Sequence, residues 1–231
     1  LHIAAYCKNV EVMKYLISKG ADVNAATRKS GITPLLLCGF YTAQNAPYME
    51  PLRLLLNNGA NPNQPYYQSG SGFYFRQPGR SVSYPTVYFA DYKYYDVLEL
   101  LLDNRADVSL IDGRGRAVLN ALFSSGYSSN FSRYSEIERT NLIERVIKMT
   151  KNITLPEYPH FPNIIINNAL YQATSLPIYL MLIEKGGDVN VKDNSGKTPF
   201  MAFLEKMNNK LGIGAERLAI VLDAMQKVTD F

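Results

Sequence analysis

Two histidines and two cysteines are the side chains best suited to metal binding or nucleophilic catalysis: His2, His160, Cys7 and Cys38. A zinc site needs three or four such groups at close spacing. Neither histidine has a cysteine or carboxylate at ligand spacing, and His160 sits among prolines in Pro156-Glu157-Tyr158-Pro159-His160-Phe161-Pro162. A Cys–His pair would need the fold to bring an imidazole beside Cys7 or Cys38 to take the thiol proton. Gly212-Ile213-Gly214 lacks the further glycine and the lysine of a phosphate-binding loop, and reads as a loop between two helices. Asp91, Asp96, Glu99, Asp103 and Asp107 make one stretch acidic, but no paired carboxylates stand out from ordinary charged faces. The expectation is therefore no catalysis in this segment, no cofactor and no metal.

The elements that carry these residues announce themselves by repetition. Gly20-Ala21-Asp22-Val23-Asn24, Gly59-Ala60-Asn61-Pro62-Asn63, Arg105-Ala106-Asp107-Val108-Ser109 and Gly186-Gly187-Asp188-Val189-Asn190 are four versions of one segment. Each follows a leucine-rich run: Tyr15-Leu16-Ile17, Leu54-Leu55-Leu56, Leu100-Leu101-Leu102 and Leu180-Met181-Leu182-Ile183. The first residues of the copies, 20, 59, 105 and 186, are 39, 46 and 81 apart. The last gap is two units of about 40, longer than the ~33 of a compact helix-turn-helix repeat, so insertions are expected. Between these marks the apolar residues run at helical period, as in Val97, Leu98, Leu101 and Leu102. Glycine just past a helix accepts the left-handed conformation that ends it. Arg105 replaces that glycine in the third copy, where a strained or altered helix end is expected.

These residues resemble the ankyrin-repeat family. Leu1-His2-Ile3-Ala4-Ala5 is similar to its Leu-His-x-Ala-Ala helix, and Thr33-Pro34-Leu35 and Thr198-Pro199-Phe200 to its Thr-Pro-Leu. Asp193-Asn194-Ser195-Gly196-Lys197-Thr198-Pro199 is similar to its Asp-x-x-Gly-x-Thr-Pro hairpin. The resemblance covers residues 1–63, 84–116 and 176–204. It implies an all-α ankyrin-repeat solenoid of about six helix-turn-helix units, two of them degenerate, with long inserted loops. The expected units are 1–31, 32–83, 84–115, 116–162, 163–197 and 198–231, forming one domain. It also implies that His2 bonds backbone between units. One unit cannot bury its apolar faces alone, so stability comes from stacking.

Composition narrows the classes. Apolar residues make up 47%, enough for a core, yet no apolar run is long enough to span a membrane. The net charge of +4 is dispersed, which speaks against nucleic acid as a partner. Low cysteine use without a framework fits a reducing, cytoplasmic compartment. Cys7 and Cys38 both fall on expected first helices and read as small apolar core residues. The chain opens inside a repeat and reads as a segment of a longer protein. An apolar face is expected at the first helix, which would fray or pack against another molecule. The chain is then a monomer or self-associates weakly there.

Three stretches interrupt the array: 64–83, 124–135 and 150–163. In the first, Phe73-Tyr74-Phe75-Arg76 is β-prone between glycines and reads either as an extended hairpin or as an aromatic loop folded back on the array. Phe73, Tyr74, Phe75 and Arg76 are residue types enriched where proteins bind. In ankyrin-type stacks the residues after the Ala-Ala position face the concave groove. Counting from each turn puts Tyr6, Phe40 with Tyr41, Tyr92 and Phe123 at or next to that position. The expected function is protein–protein recognition through this groove and the fingers. The alternative is a substrate-targeting module of a larger enzyme. The irregular units and the excess of Asn and Tyr are similar in style to ankyrin proteins that intracellular bacteria deliver into host cells. That similarity implies a host protein as partner, met in the host cytoplasm.

Overall fold

The structure is a computed structural model of the 231-residue chain, and it describes residues 1–39, 49–68, 81–123, 134–151 and 164–211. Among the described residues the fold is helical, with strands only at β1 (Tyr66–Gln68) and β2 (Ser81–Ser83). The chain divides into two compact bodies, residues 1–121 with 125–134 and residues 122–124 with 135–231.

The first body is built from short helix pairs: α1 (His2–Tyr6) with α2 (Val10–Ser18), α3 (Pro34–Gly39) with α4 (Met49–Asn57), and α5 (Pro85–Asp91) with α6 (Tyr95–Asp103). The first pair stacks on the second, α1 on α3 and α2 on α4. The connection inside the second pair runs over residues 40–48, against 7–9 in the first pair and 92–94 in the third, so the extra length of that unit lies between its helices. β1 and β2 pair antiparallel, Tyr66 opposite Ser83 and Gln68 opposite Ser81, at the base of the finger predicted for 64–83. α7 (Val118–Phe123) spans the division between the bodies. The second body contains α8 (Glu136–Met149), α9 (Ile164–Gln172), α10 (Leu176–Glu184) and α11 (Pro199–Leu211). There α10 packs on α8 and α9, and α11 packs on α9.

Local chemistry sets the helix limits. Thr33 Oγ1 accepts from Leu36 N–H and Thr198 Oγ1 from Met201 N–H, both at 3.3 Å, capping the turns that Pro34 and Pro199 begin. Asn9 caps α2 through Val12 N–H at 3.0 Å. At α8 the Ser135 hydroxyl accepts from Glu138 N–H, and the Glu138 carboxylate accepts from Ser135 N–H at 2.7 Å. These bonds hold the Glu138 carboxyl below its ordinary range. Gly20, Gly59 and Gly186 end their helices at φ 84°, 85° and 88°, and Arg105 adopts the same left-handed conformation at 63°.

Counting back from these ends fixes which side chains are equivalent. Met13, Leu52, Leu98 and Tyr179 each lie seven residues before the turn and are all sealed in the core. Tyr179 brings a hydroxyl into that position. Its ring stacks on Phe203 at 4.5 Å, and its hydroxyl has no partner among the described residues.

Candidate interaction surface

The turns hold the helix ends in register. In each of the four copies the Asx side chain accepts from the backbone N–H two residues on: Asp22 from Asn24, Asn61 from Asn63, Asp107 from Ser109 and Asp188 from Asn190, at 2.8–2.9 Å. In the first two copies the residue two after it reaches forward. The Asn24 carboxamide donates to Gly59 C=O (2.9 Å) and accepts from Asn61 N–H (2.7 Å). Asn63 repeats this on Arg105 C=O (3.3 Å) and Asp107 N–H (2.7 Å). The hairpin fingers also touch in sequence: Tyr67 N–H donates to Ser30 C=O and Gly113 N–H to Val82 C=O, each at 2.8 Å. His2 Nε2 donates to Ile32 C=O at 3.0 Å, the inter-unit backbone bond expected of it.

The ends of the first helices carry the predicted contact residues. After α1 and α5 the chain turns through left-handed Lys8 (φ 55°) and Lys93 (φ 62°), which makes Tyr6 equivalent to Asp91 and Cys7 equivalent to Tyr92. Tyr6 and Tyr92 are thus one residue out of register. Tyr6 is 52% exposed. Tyr92 is half-buried in a ring cluster, 4.5 Å from Tyr88 and 6.4 Å from Tyr94, and Tyr88 meets Tyr66 edge-on at 6.3 Å. Phe123 ends α7 half-buried; six residues beyond Ala117, it is level with Gly39, six beyond Thr33, so it falls one position before Tyr6. Phe40, Tyr41, Phe73, Tyr74, Phe75 and Arg76 lie outside the described residues, as do His160, Gly212-Ile213-Gly214 and the irregular loops at 124–133 and 152–163.

One polar cluster was not legible beforehand. Arg116 grips Asp91 with two parallel bonds, 3.0 and 2.8 Å, and reaches Asp112 through Nε at 3.2 Å and Nη2 at 3.0 Å. Burial alone would push the guanidinium down, but its bonds and charge contacts with the two carboxylates outweigh that and raise it. Asp112 Oδ1 meanwhile accepts from Arg114 and Arg116 N–H, both at 2.9 Å, closing the hairpin. Asp193 does the same for Ser195 and Lys197 in the second body. The spacing shared by Asp112-x-x-Gly115-Arg116 and Asp193-x-x-Gly196-Lys197 was the available signal. It placed Arg116 beside Asp112, while Asp91 arrives only through the end of α5.

The cysteines part company. Cys38 is buried, its thiol donates to Ala5 C=O at 3.6 Å, and burial pushes it up to about 12. Cys7 is exposed, contrary to the expectation of two core thiols: it caps the end of α1 and lines the open face shared by Leu1, Ile3 and Val12. Among the described residues no group of three or more His, Cys, Asp or Glu is placed to hold a metal ion, and no helix is long and apolar enough to cross a membrane.

Comparison with known proteins agrees with this geometry. The ankyrin-repeat family model matches residues 1–28. The crystal structure of an ankyrin repeat domain from Acinetobacter baumannii AYE is similar over 96% of this chain and 96% of that one, with a TM-score of 0.58 and 16% identity. The chain has the all-α ankyrin-repeat fold, and the stretch that holds its first helix pair also matches the family model in sequence. Ankyrin repeats are generally protein–protein interaction modules, and the fold is typically a non-catalytic binding module.

Proposed function

We propose that this chain recognises a protein partner through the groove formed at the ends of its first helices, bordered by the finger at 64–83, without catalysis of its own. The observation that carries the reading is the tyrosine cluster at the end of α5, where the Tyr92 ring centre lies 4.5 Å from that of Tyr88 and 6.4 Å from that of Tyr94. Such rings offer apolar area with a polar tip, the combination that protein interfaces favour. The proposed contact residues beyond this cluster are Tyr6, Phe40, Tyr41 and Phe123, with Phe73, Tyr74, Phe75 and Arg76 of the segment 64–83. The proposed repeat units are 1–31, 32–83, 84–115, 116–162, 163–197 and 198–231, and the chain acts as a monomer or self-associates weakly through the first unit, in a reducing compartment. The similarity in style to effectors of intracellular bacteria makes a eukaryotic host protein the partner class to try first.

The test is capture from a eukaryotic lysate, followed by affinity measurement with the purified partner. Changing Tyr6, Tyr41 and Tyr92 together to Ser should abolish binding while the helical circular dichroism signal stays. Full affinity in the folded triple variant would remove the groove from the reading.

A further inference from the structure

Asn58-Gly59 is the one place in the chain where glycine follows asparagine. In such a pair the glycine backbone nitrogen can attack the carboxamide carbon of the asparagine, because the second residue has no side chain to block the approach. Both residues are exposed to water just past α4. In the folded chain both reacting groups are tied. The Asn58 carboxamide folds back on the helix and donates to Leu54 C=O at 2.8 Å. Gly59 N–H donates to Leu56 C=O and Ala60 N–H to Leu55 C=O, both at 3.0 Å, the paired bonds that close a helix through a left-handed residue. Gly59 C=O accepts from the Asn24 carboxamide of the unit before at 2.9 Å. The nitrogen is freed only when the last turn of α4 opens.

The end of α6 carries the same arrangement with one change. Asn104 Nδ2 donates to Leu100 C=O at 2.8 Å, Arg105 N–H to Leu102 C=O at 3.2 Å and Ala106 N–H to Leu101 C=O at 3.0 Å. Arg105 stands where Gly59 does, and a side chain on the attacking residue hinders its approach to the carboxamide. The two helix ends thus share a fold and differ in the residue that decides the chemistry.

We propose that Asn58 is a self-modifying site: opening of the end of α4 lets water and its own backbone convert it to aspartate or isoaspartate, and the conversion loosens the join between the first two units. The Gly59 nitrogen gives its proton to solvent and bonds to Asn58 Cγ. The Cγ–Nδ2 bond breaks, and the nitrogen leaves as ammonia with a proton taken from water. Water then adds to one carbonyl of the cyclic imide and opens it. Cleavage between Cγ and the Gly59 nitrogen leaves aspartate. Cleavage between the Asn58 backbone carbonyl carbon and that nitrogen leaves isoaspartate, whose main chain runs through Cβ and Cγ. Neither product restores the cap. A carboxylate cannot donate to Leu54 C=O, and its charge falls at the negative end of the helix dipole. The longer main chain of isoaspartate displaces Gly59 from Leu56 and from Asn24. Each opening that ends in reaction is therefore permanent. The proposal is independent of the groove that reads the partner.

The test incubates the whole chain at neutral pH and body temperature, folded and in urea, and follows the peptides that hold Asn58 and Asn104 by mass spectrometry. Asn58 should convert in both states, about tenfold or more slowly when folded, and Asn104 should lag far behind it. Asn24→Ala removes the bonds to Gly59 C=O and Asn61 N–H, and should speed the folded reaction several-fold while leaving the rate in urea unchanged. Arg105→Gly should make Asn104 a second site. Asn58→Asp should lower Tm and speed hydrogen exchange at Gly59 and Ala60. Equal rates folded and unfolded, or a folded rate unmoved by Asn24→Ala, would overturn the gating. Absence of conversion at Asn58 over a span in which the unfolded chain reacts to completion would overturn the site itself. An Asn58→Asp variant as stable as the parent would overturn the loosening of the join.

Discussion

The turns of the first body are stitched to one another, whereas the turn of the second is stitched to its helices. In the first, Asn24 and Asn63 belong to the repeating segment and reach one unit forward. In the second, Asn167 on α9 accepts from Asp188 N–H at 2.8 Å, and the Tyr171 hydroxyl lies 2.6 Å from Val191 C=O and 2.9 Å from Lys197 C=O. Lys185 crosses from α10 to Lys148 C=O at 3.0 Å, satisfying a carbonyl at the end of α8. The difference follows from what comes next in the chain. A side chain that bridges forward works only where the next unit repeats the turn. The third copy ends in Ser109 rather than asparagine, and the unit after it replaces Gly-Ala-Asp with the proline-punctuated 150–163. Where the motif stops repeating, individual long side chains take over its task.

The tightest contacts give the largest expected effects. A Cβ on Gly187 would stand 2.8 Å from Leu182 C=O and 2.5 Å from Leu170 Cδ1, so Gly187→Ala must shift backbone. The other copies carry alanine there (Ala21, Ala60, Ala106), so the second body pays a cost for the large side chains of α9 that the first does not. Gly187→Ala should cost about 3 kcal/mol. In the first body a Cβ on Gly39 would stand 2.2 Å from the Phe89 ring. Gly39→Ala should cost about 2 kcal/mol, but here a side chain can yield. Phe89→Leu should relieve it, so the two changes together should cost less than their sum. Urea melts of the set check this; strict additivity would separate Gly39 from Phe89.

The equivalent hairpin residues Arg116 and Lys197 make the next comparison. Arg116 holds Asp112, whose side chain is only 3% exposed, whereas Lys197 pairs at 2.8 Å with Glu205, 56% exposed. Arg116→Ala strands a buried carboxylate and should cost about 2 kcal/mol. Lys197→Ala should cost under about 0.5 kcal/mol. Equal losses in chemical melts would show that the hairpins bear load alike.

The legibility of the molecule follows the same division. Helix ends at Gly20, Gly59 and Gly186, caps at Thr33 and Thr198, and the left-handed Arg105 were readable because each depends on one or two neighbouring residues. The bond from His2 came with the family resemblance. Cys7 was misread because lying on a first helix does not say which face a residue takes, and Cys7 falls on the open face beside Leu1 and Val12. The Asp91–Arg116–Asp112 cluster escaped because Asp91 and Arg116 lie 25 residues apart and meet only when α5 stacks beside the hairpin. The Tyr6–Asp91 equivalence, which puts Tyr92 one position after Tyr6, is fixed by the left-handed backbone at Lys8 and Lys93.

The stitches themselves give a smaller effect. Asn63→Ala loses two bonds between exposed turns and should cost about 1 kcal/mol. Asn167→Ala should cost about as much by opening Asp188 N–H in the second body. Ser109→Asn should gain nothing, because the following unit offers no Gly-Ala-Asp turn to bridge. A clear rise in melting midpoint for Ser109→Asn would mean that 150–163 presents such a turn after all.

The smallest expected change is a gain. Arg105 occupies the left-handed position that glycine holds after α2, α4 and α10, with φ 63° against 84–88°. A side chain there costs on the order of 1 kcal/mol, because Cβ crowds the following carbonyl. Arg105 C=O also accepts from Asn63, so the backbone at this site cannot relax out of the strained region without breaking an inter-unit bond. Arg105→Gly removes the crowding but loosens the unfolded chain, and these effects oppose each other. The strain term should win, raising stability by about 0.5 kcal/mol. The combination with Asn63→Ala sharpens the point. Without the asparagine the wild-type backbone is free to relax, so the gain from Arg105→Gly should shrink. A gain of the same size in both backgrounds would show that the Asn63 bond does not hold the strain in place.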